Sequence, residues 1–434
     1  MTRALGCAQE YLVVLHYRGG PQAGIAAIAE RPAVIKWQRI LDGISACTIT
    51  LAKPLCGSMV KALDPTIVQN PEWGYEISIY RDQDTEPSWC GPLVTYTETR
   101  TTITLGGFDL LAWLKMRPIP VDYRYTGASS LDASELAAWI MNEAYALDDP
   151  SARANILVTP AGIPASRRGQ AWGEVAWEAI NALVTAHIDL TCIVRTILIG
   201  PEQHSVLGRV LHLTEEDFAD GEGPTVERDG YTAATMYTAK AQGIQGVVAD
   251  PNAVTPTDSN WVDIHAIRKE GEDGTPEFTQ TDQTPNAAEV QAQTPPNVAT
   301  VGATEDGWRG LLWQLRSMQG TRLIDEVTLT AQRGLRRGRH PHYMRMSASQ
   351  LHPKAPVPME DLIPGARVML HLDDTWVRPL MTPMRLTNVD VTFDQNGEHV
   401  QIACEPVSIN VEDPSDEDES GLTDDDQEDT RGAR

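Results

Sequence analysis

Three histidines, His340, His342 and His352, lie close together, with Pro341 between the first two. Imidazole nitrogens at this spacing can ligate a transition metal. A closed site needs a further donor from Asp, Glu or Cys, and the sequence places none beside them. Histidines in a proline-bearing loop are more often solvated. A second candidate is Asp416-x-Asp418-x-Ser420-Gly421, which echoes a calcium loop. Its twelfth position is Gln427, where such a loop needs a bidentate Glu, and no flanking helices are expected. The six cysteines are Cys7, Cys47, Cys56, Cys90, Cys192 and Cys404, and none forms a CxxC pair. Their wide spacing argues against zinc and against a disulfide scaffold. Cys47, Cys192 and Cys404 fall at inward positions of expected strands, where Cys acts as a small apolar residue.

Short catalytic signatures are missing. The sequence has no HExxH, no P-loop and no GxGxxG. Gly43-Ile44-Ser45-Ala46-Cys47 approaches a nucleophile elbow but ends in Cys on an expected strand. The reading is therefore not an enzyme, with no catalytic residue, no cofactor site and no metal site assigned. The one basic cluster is Arg333, Arg336, Arg337, Arg339 and Arg345. It reads as a docking patch for an acidic partner, such as another subunit's tail, or as a solvated Gly-rich loop. Trp313 lies off the buried stripe of an expected helix and is a second candidate partner contact.

The elements that must hold these residues are mostly strands. Tyr11–Tyr17 is a short apolar strand. Cys47, Ile49 and Leu51 alternate with threonines, and Trp73, Tyr75, Ile77 and Ile79 share one face of a strand ending at Arg81. Val94 and Tyr96 are expected opposite Leu105 and Ile103 across a turn near Thr99. A short helix, Phe108–Lys115, follows. The clearest helix spans 131–147: Asp132 caps it, Glu135 completes a capping box, and Leu131 and Leu136 form a staple. Its stripe is Leu136, Trp139, Ile140, Ala144 and Leu147. A second helix at 170–186 carries Trp172, Val175, Ala176, Ala179, Ile180 and Leu183 on one face. It leads into a strand with Ile188, Leu190, Cys192, Val194 and Leu198 at even positions, apolar on both faces and so central in a sheet. Residues 268–303 are polar with four prolines and read as a long loop or mobile arm. A third helix is expected at 306–319. Val368, Leu370 and Leu372 alternate after the Pro364-Gly365 turn. Asn396-Gly397 reads as a hairpin turn that sets Phe393 opposite Val400, Val391 opposite Ile402 and Val389 opposite Cys404. The fold class is α+β, mostly β.

The chain of 434 residues carries a formal charge of −25. Eleven acidic residues and two arginines between Glu412 and Arg434 supply −9 of it, and the rest carries −16. Such a surface lacks the excess cations that counterion release requires. It suits a wall past which DNA slides without sticking. No signal peptide is visible, and Ile188–Ile199 is too short and too charged to span a bilayer. A soluble protein made in a host cytoplasm is expected.

Several stretches resemble a known family: VIKWQRILDGISACTITL (34–51), GYEISIYRD (74–82), WCGPLV (89–94), GFDLLAWLKMRPI (107–119), DLTCIVRTILIG (189–200) and DLIPGARVML (361–370). They are similar to minor tail proteins of actinobacterial siphophages, which resemble the tail hub, or tail-associated, family. The resemblance covers about two-thirds of the chain and lies in patterns of strand and turn. It implies two tail-tube-like β domains with inserted helices and a long polar arm, and three copies in a pseudo-sixfold ring. On that scheme residues 1–125 form the first domain, with 231–267 as the stretch that would complete it. Residues 126–230 and 351–410 form the second, 268–350 holds the arm, helix and basic loop, and 411–434 is an acidic tail. The implied role is a tail-tip hub in the virion that closes the tube and joins the distal tail protein to tip or fibre proteins. The implied partners are further copies of itself, those proteins, the tape measure protein and DNA in transit, without stable membrane association. The family supplies no catalytic residues. A tail-carried cell-wall hydrolase and the distal tail adaptor are the alternatives.

Overall fold

The computed structural model describes residues 5–29, 32–53, 63, 72–82, 84–125, 130–148, 150–165, 167–184, 188–201, 210–219, 223–228, 236–242, 261–267, 277–280, 313–318, 344–353, 355–372 and 380–406. Seven antiparallel strands come first: β1 (Tyr11–Tyr17), β2 (Ile25–Ala29), β3 (Val34–Ile40), β4 (Ala46–Ala52), β5 (Tyr75–Arg81), β6 (Trp89–Glu98) and β7 (Thr102–Phe108). The middle segment holds α1 (Ala112–Lys115), β8 (Tyr123–Tyr125), β9 (Leu131–Asp132), α2 (Ala133–Tyr145), β10 (Asn155–Val158), β11 (Pro164–Ala165), β12 (Arg167–Gly169), α3 (Ala176–Val184), β13 (Ile188–Ile193) and β14 (Thr196–Pro201). Beyond it lie β15 (Leu211–Thr214), β16 (Val226–Arg228), β17 (Met236–Gln242), β18 (Trp261–Ile267), β19 (Glu277–Gln280), β20 (Trp313–Met318), β21 (Met344–Gln350), β22 (Arg367–Leu372), β23 (Leu380–Asp394) and β24 (Gly397–Pro406). The protein is mostly β, as the alternating patterns require.

One 13-stranded sheet runs β16-β21-β24-β23-β3-β4-β7-β6-β5-β1-β2, with β22 on β23 and β15 on β22. Its two ends in sequence meet at β3 and β23, where Trp37 lies opposite Val391 and Ile35 opposite Phe393. Residues 388–393 are thus paired with the N-terminal strand β3, while β23 also pairs β22, and through it β15 of the 126–230 stretch with which the sequence grouped them. Alternation explains the core. Cys47, Ile49 and Leu51 of β4, Ile77 and Ile79 of β5, and Val389, Val391, Val400 and Ile402 of the last hairpin all bury into one cluster. The middle segment builds a second cluster from Leu136, Ile140 and Ala144 of α2, Ala179, Ile180 and Leu183 of α3, and Leu190, Ile197 and Ile199 of the β13–β14 pair.

Both expected hairpins form, each two residues away from the expected register. Val391 faces Val400, and Phe393 faces Glu398. Tyr96 faces Leu105, and Glu98 faces Ile103. A slip of two leaves every side chain on its face, so burial alone cannot distinguish the registers. The turn decides. Asp394 accepts a bond from the Asn396 N–H at 2.7 Å, and of the turn residues only Gly397 has positive φ, at 109°. A type I′ turn would need positive φ at both central residues.

Other expectations fail where one residue leaves its element. The even-position strand at 188–198 is in fact a hairpin, β13–β14, turning at Val194 with φ 56°. Trp73 precedes β5 at φ 62° and packs on Trp113 at 4.7 Å between ring centroids. Trp172 lies before α3 at φ 63° and is 65% exposed, and Leu147 beyond α2 is 51% exposed. Phe108 ends β7, so the short helix begins at Ala112. Asp132 caps α2 by accepting the Ser134 N–H at 3.0 Å, and it also takes the N–H groups of Ala161 and Ile163.

The third expected helix is absent where the structure describes it. Residues Trp313–Met318 form β20, paired in parallel with β17. Trp308, Leu311, Leu312 and Leu315 are spaced as in a helix, but at 313–316 apolar and polar residues alternate, and a partner strand settles the ambiguity. β17, β18, β19 and β20 make a separate four-stranded sheet. Hence 236–242 and 261–267 do not join the first sheet, and 277–280 is a strand inside the expected loop. No helix among the described residues is long and apolar enough to cross a membrane.

A β-branched residue in the left-handed region carries about 1–2 kcal/mol of strain. Val194→Gly relieves it, less about 0.5–1 kcal/mol for glycine's freedom in the unfolded chain. The variant is expected to raise the urea midpoint by an amount equal to roughly 0.5–1 kcal/mol. A lowered midpoint would contradict the strain.

Candidate functional site

His352 is half-buried and donates its backbone N–H to Asp217 O at 2.8 Å. His340, His342, Arg333, Arg336, Arg337, Arg339, Cys56 and the acidic segment with Asp416 and Asp418 lie outside the described residues. Arg345 is exposed on β21 and pairs with Glu227 of β16 at 3.3 Å. Trp313 starts β20. Among the described residues no group of three or more His, Cys, Asp or Glu is placed to hold a metal.

Cys47, Cys90, Cys192 and Cys404 are buried. Burial raises all four thiols, Cys90 to about 12, so no thiolate is available from them near neutral pH. Ser45 of the elbow-like segment is 1% exposed. Its hydroxyl accepts the Ile40 N–H at 3.1 Å, and its own N–H reaches Asp109 Oδ2 at 2.7 Å. Asp109 also takes the Leu111 N–H at 3.0 Å, which fixes the entry to α1.

Burial raises the Asp109 carboxyl to about 7 against the pull of those hydrogen bonds. The folded chain therefore holds this proton more tightly than the unfolded chain. The group's contribution is fully present below the ordinary carboxylate range and is lost as pH rises through about 7. Asp109→Asn removes that slope. The stability difference between variant and wild type should move in the variant's favour from pH 4.5 to pH 7.5, measured by urea unfolding. A difference that is flat with pH would contradict the assignment.

The remaining buried charges concentrate where the two cores meet. Glu76 of β5, 0% exposed, accepts from Arg195 in the β13–β14 turn and from the Gly19 N–H at 3.0 Å. Arg195 also donates to Ala152 O at 3.0 Å. Asp148 bridges Arg18 and Arg117, and both guanidiniums lie over the Trp113 ring, at 4.2 and 4.9 Å from its centroid. Arg385 of β23 holds both oxygens of Asp189 on β13, at 2.6 and 2.7 Å, and also Glu405. Two further bonds run beside it: the Asp42 N–H donates to Leu190 O at 2.7 Å, and the Leu190 N–H donates to the Asp42 side-chain Oδ1 at 2.8 Å. Within the first core, Glu398 of β24 takes two bonds of 2.8 Å from Arg81 of β5 and one of 2.5 Å from the Tyr11 hydroxyl. Burial, with the Glu398 charge, pushes the Tyr11 hydroxyl well above its ordinary range.

This arrangement can do one thing well. Glu76, Asp148, Asp189 and Glu398 are each held by a guanidinium, so they fix geometry. The Arg385 and Arg195 bridges lock the helical middle segment against the large sheet. Sequence reasoning missed all of these residues. For Glu76, Arg81 and Asp189 the signal is a charge in a largely apolar strand, whereas Arg18, Arg117, Asp148 and Arg195 lie outside strands and helices.

No protein-family profile matches the sequence, and no curated protein matches it. Solved structures do. A 43 kDa tail protein of prophage MuSo2 from Shewanella oneidensis is 14% identical, with a TM-score of 0.54 over 92% of this chain and 98% of that one. A tail protein from Neisseria meningitidis MC58 is 10% identical, with a TM-score of 0.51 over 91% of this chain and 96% of that one. The shared fold runs nearly end to end in both.

Proposed function

We propose that this chain is a structural component of a long-tailed bacteriophage tail, acting by assembly and not by catalysis. The observation that carries the reading is the end-to-end fold shared with two proteins described as tail proteins. The charge arrangement supports it, because the buried carboxylates are committed to holding the two cores in one orientation. Rigid orientation is what a ring subunit needs.

Within the tail the proposed place is the tip hub. Three copies form a ring that closes the tube, beneath the distal tail protein and the tape measure protein and above tip or fibre proteins. DNA passes through on infection. The acidic body, −16 outside the last 23 residues, favours a wall that does not retain DNA.

The test is the mass of the purified full-length chain by native mass spectrometry and sedimentation. A trimer, or a trimer that forms on adding the distal tail protein, supports the hub. A hexamer favours the adaptor. A persistent monomer that also cleaves purified peptidoglycan would favour the hydrolase.

A further inference from the structure

On the exposed side of the large sheet, β15 and β22 run in parallel, with His212 opposite Met369 and Thr214 opposite His371. His212 is exposed, and Met369 and His371 are half-exposed. The two imidazoles stack at 17° with ring centroids 5.5 Å apart. Nδ1 of His212 lies 3.2 Å from Nε2 of His371. We propose that this pair is a binding site for a transition-metal ion, Cu2+ above all, with the Met369 thioether as a weak third donor.

The geometry is close to what a chelate needs. Two imidazole nitrogens each about 2.0–2.1 Å from one ion stand about 2.9–3.4 Å apart at angles between square and tetrahedral. The observed nitrogens already have that separation, so the rings need only turn their lone pairs outward toward a common ion. In the ion's absence one ring must donate to the other, which requires one protonated and one bare nitrogen. Residues two apart on a strand share a face, so Met369 and His371 lie on the same side, and parallel register puts Met369 beside His212.

The donor set favours copper. Imidazole suits Zn, Cu and Ni alike, Cu2+ binds most tightly of the divalent series at a given site, and copper accepts a thioether as a weak, long axial donor. Asp217 accepts the Thr214 N–H at 2.7 Å and its hydroxyl at 2.9 Å, both on Oδ2. Among the described residues no group of three or more His, Cys, Asp or Glu is placed to hold a metal here. A bound ion would tie together residues 159 apart in sequence, at the junction of β15 with the C-terminal strands.

The test is a Cu2+ titration of the full-length protein against glycine as competitor, read by electron paramagnetic resonance. One equivalent should bind ahead of all others and show splitting from two equatorial nitrogens. His212→Ala/His371→Ala should abolish it, and His340→Ala/His342→Ala should leave it intact. Should the double variant fail to fold, His212→Gln, which changes an exposed ring, should weaken the site at least about tenfold, a loss that even outer ligands commonly cause. Retention of the tight equivalent without His212 and His371 would overturn the proposal. So would its loss with His340 and His342, or binding by the wild type with no distinct first equivalent.

Discussion

Replacing Arg81 with methionine is expected to destabilise the folded chain by roughly 3–5 kcal/mol, the usual effect of breaking a buried ion pair from one side. The Arg81 and Glu398 side chains are 3% and 0% exposed. Without the guanidinium, Glu398 keeps, among the described residues, the Tyr11 hydroxyl and the Ala8 N–H, at 2.5 and 3.4 Å. A buried carboxylate so left must either take up a proton or draw in water, and both oppose folding. The pair also joins β5 to β24, residues 317 apart in sequence, so its loss loosens the contact between the two ends of the chain. Arg81→Met/Glu398→Met should recover a large part of the loss, because the cost lies in the unpaired charge more than in the missing bond. The measurement is urea unfolding of both variants. A single variant within about 0.5 kcal/mol of wild type, the range of ordinary surface changes, would show that the pair is not buried as described.

Arg385→Met should cost a similar amount, again about 3–5 kcal/mol, with a different spatial signature. Arg385 is 7% exposed and Asp189 3%, while Glu405 is 42% exposed. Glu405 can therefore turn to water when the guanidinium goes, and Asp189 cannot. Asp189 lies on β13 of the second core, and Arg385 on β23 of the first. The damage should appear at the junction. Backbone amides of β13 and β14 should exchange hydrogen faster than in wild type by a larger factor than those of β4 and β7. Uniform acceleration across both cores would mean that Arg385 contributes only to global stability and does not lock the two units together.

The faces of the strands were legible in the sequence, and their partners were not. Cys47, Ile49 and Leu51 announce their burial by alternation with threonine. Nothing local tells Val391 to face Val400 and not Ile402, because a slip of two residues leaves the same side chains inside. The decision lies in the Asp394 carboxylate and in the φ of Gly397. Over 306–319 the spacing of Trp308, Leu311, Leu312 and Leu315 fits a helix, and the parallel partner at 236–241 makes 313–318 a strand instead. Val194 and Trp172 break expected elements by adopting positive φ, which side-chain type does not foretell for either residue. The charged junction was hidden for a simpler reason. Asp189 and Arg385 are 196 residues apart, and each alone reads as an ordinary surface charge. The catalytic motifs, by contrast, could be checked directly, and Ser45 of the nearest match proves to be a buried hydrogen-bonding residue.

The tail-tip account is tested most directly by a cryo-electron microscopy map of whole particles in which this subunit is located. The account predicts three copies around the tail axis, at the end of the tube beneath the distal tail protein, with the large sheet contributing to the channel wall. Six copies at that level, or particles that contain no copy at all, would contradict it.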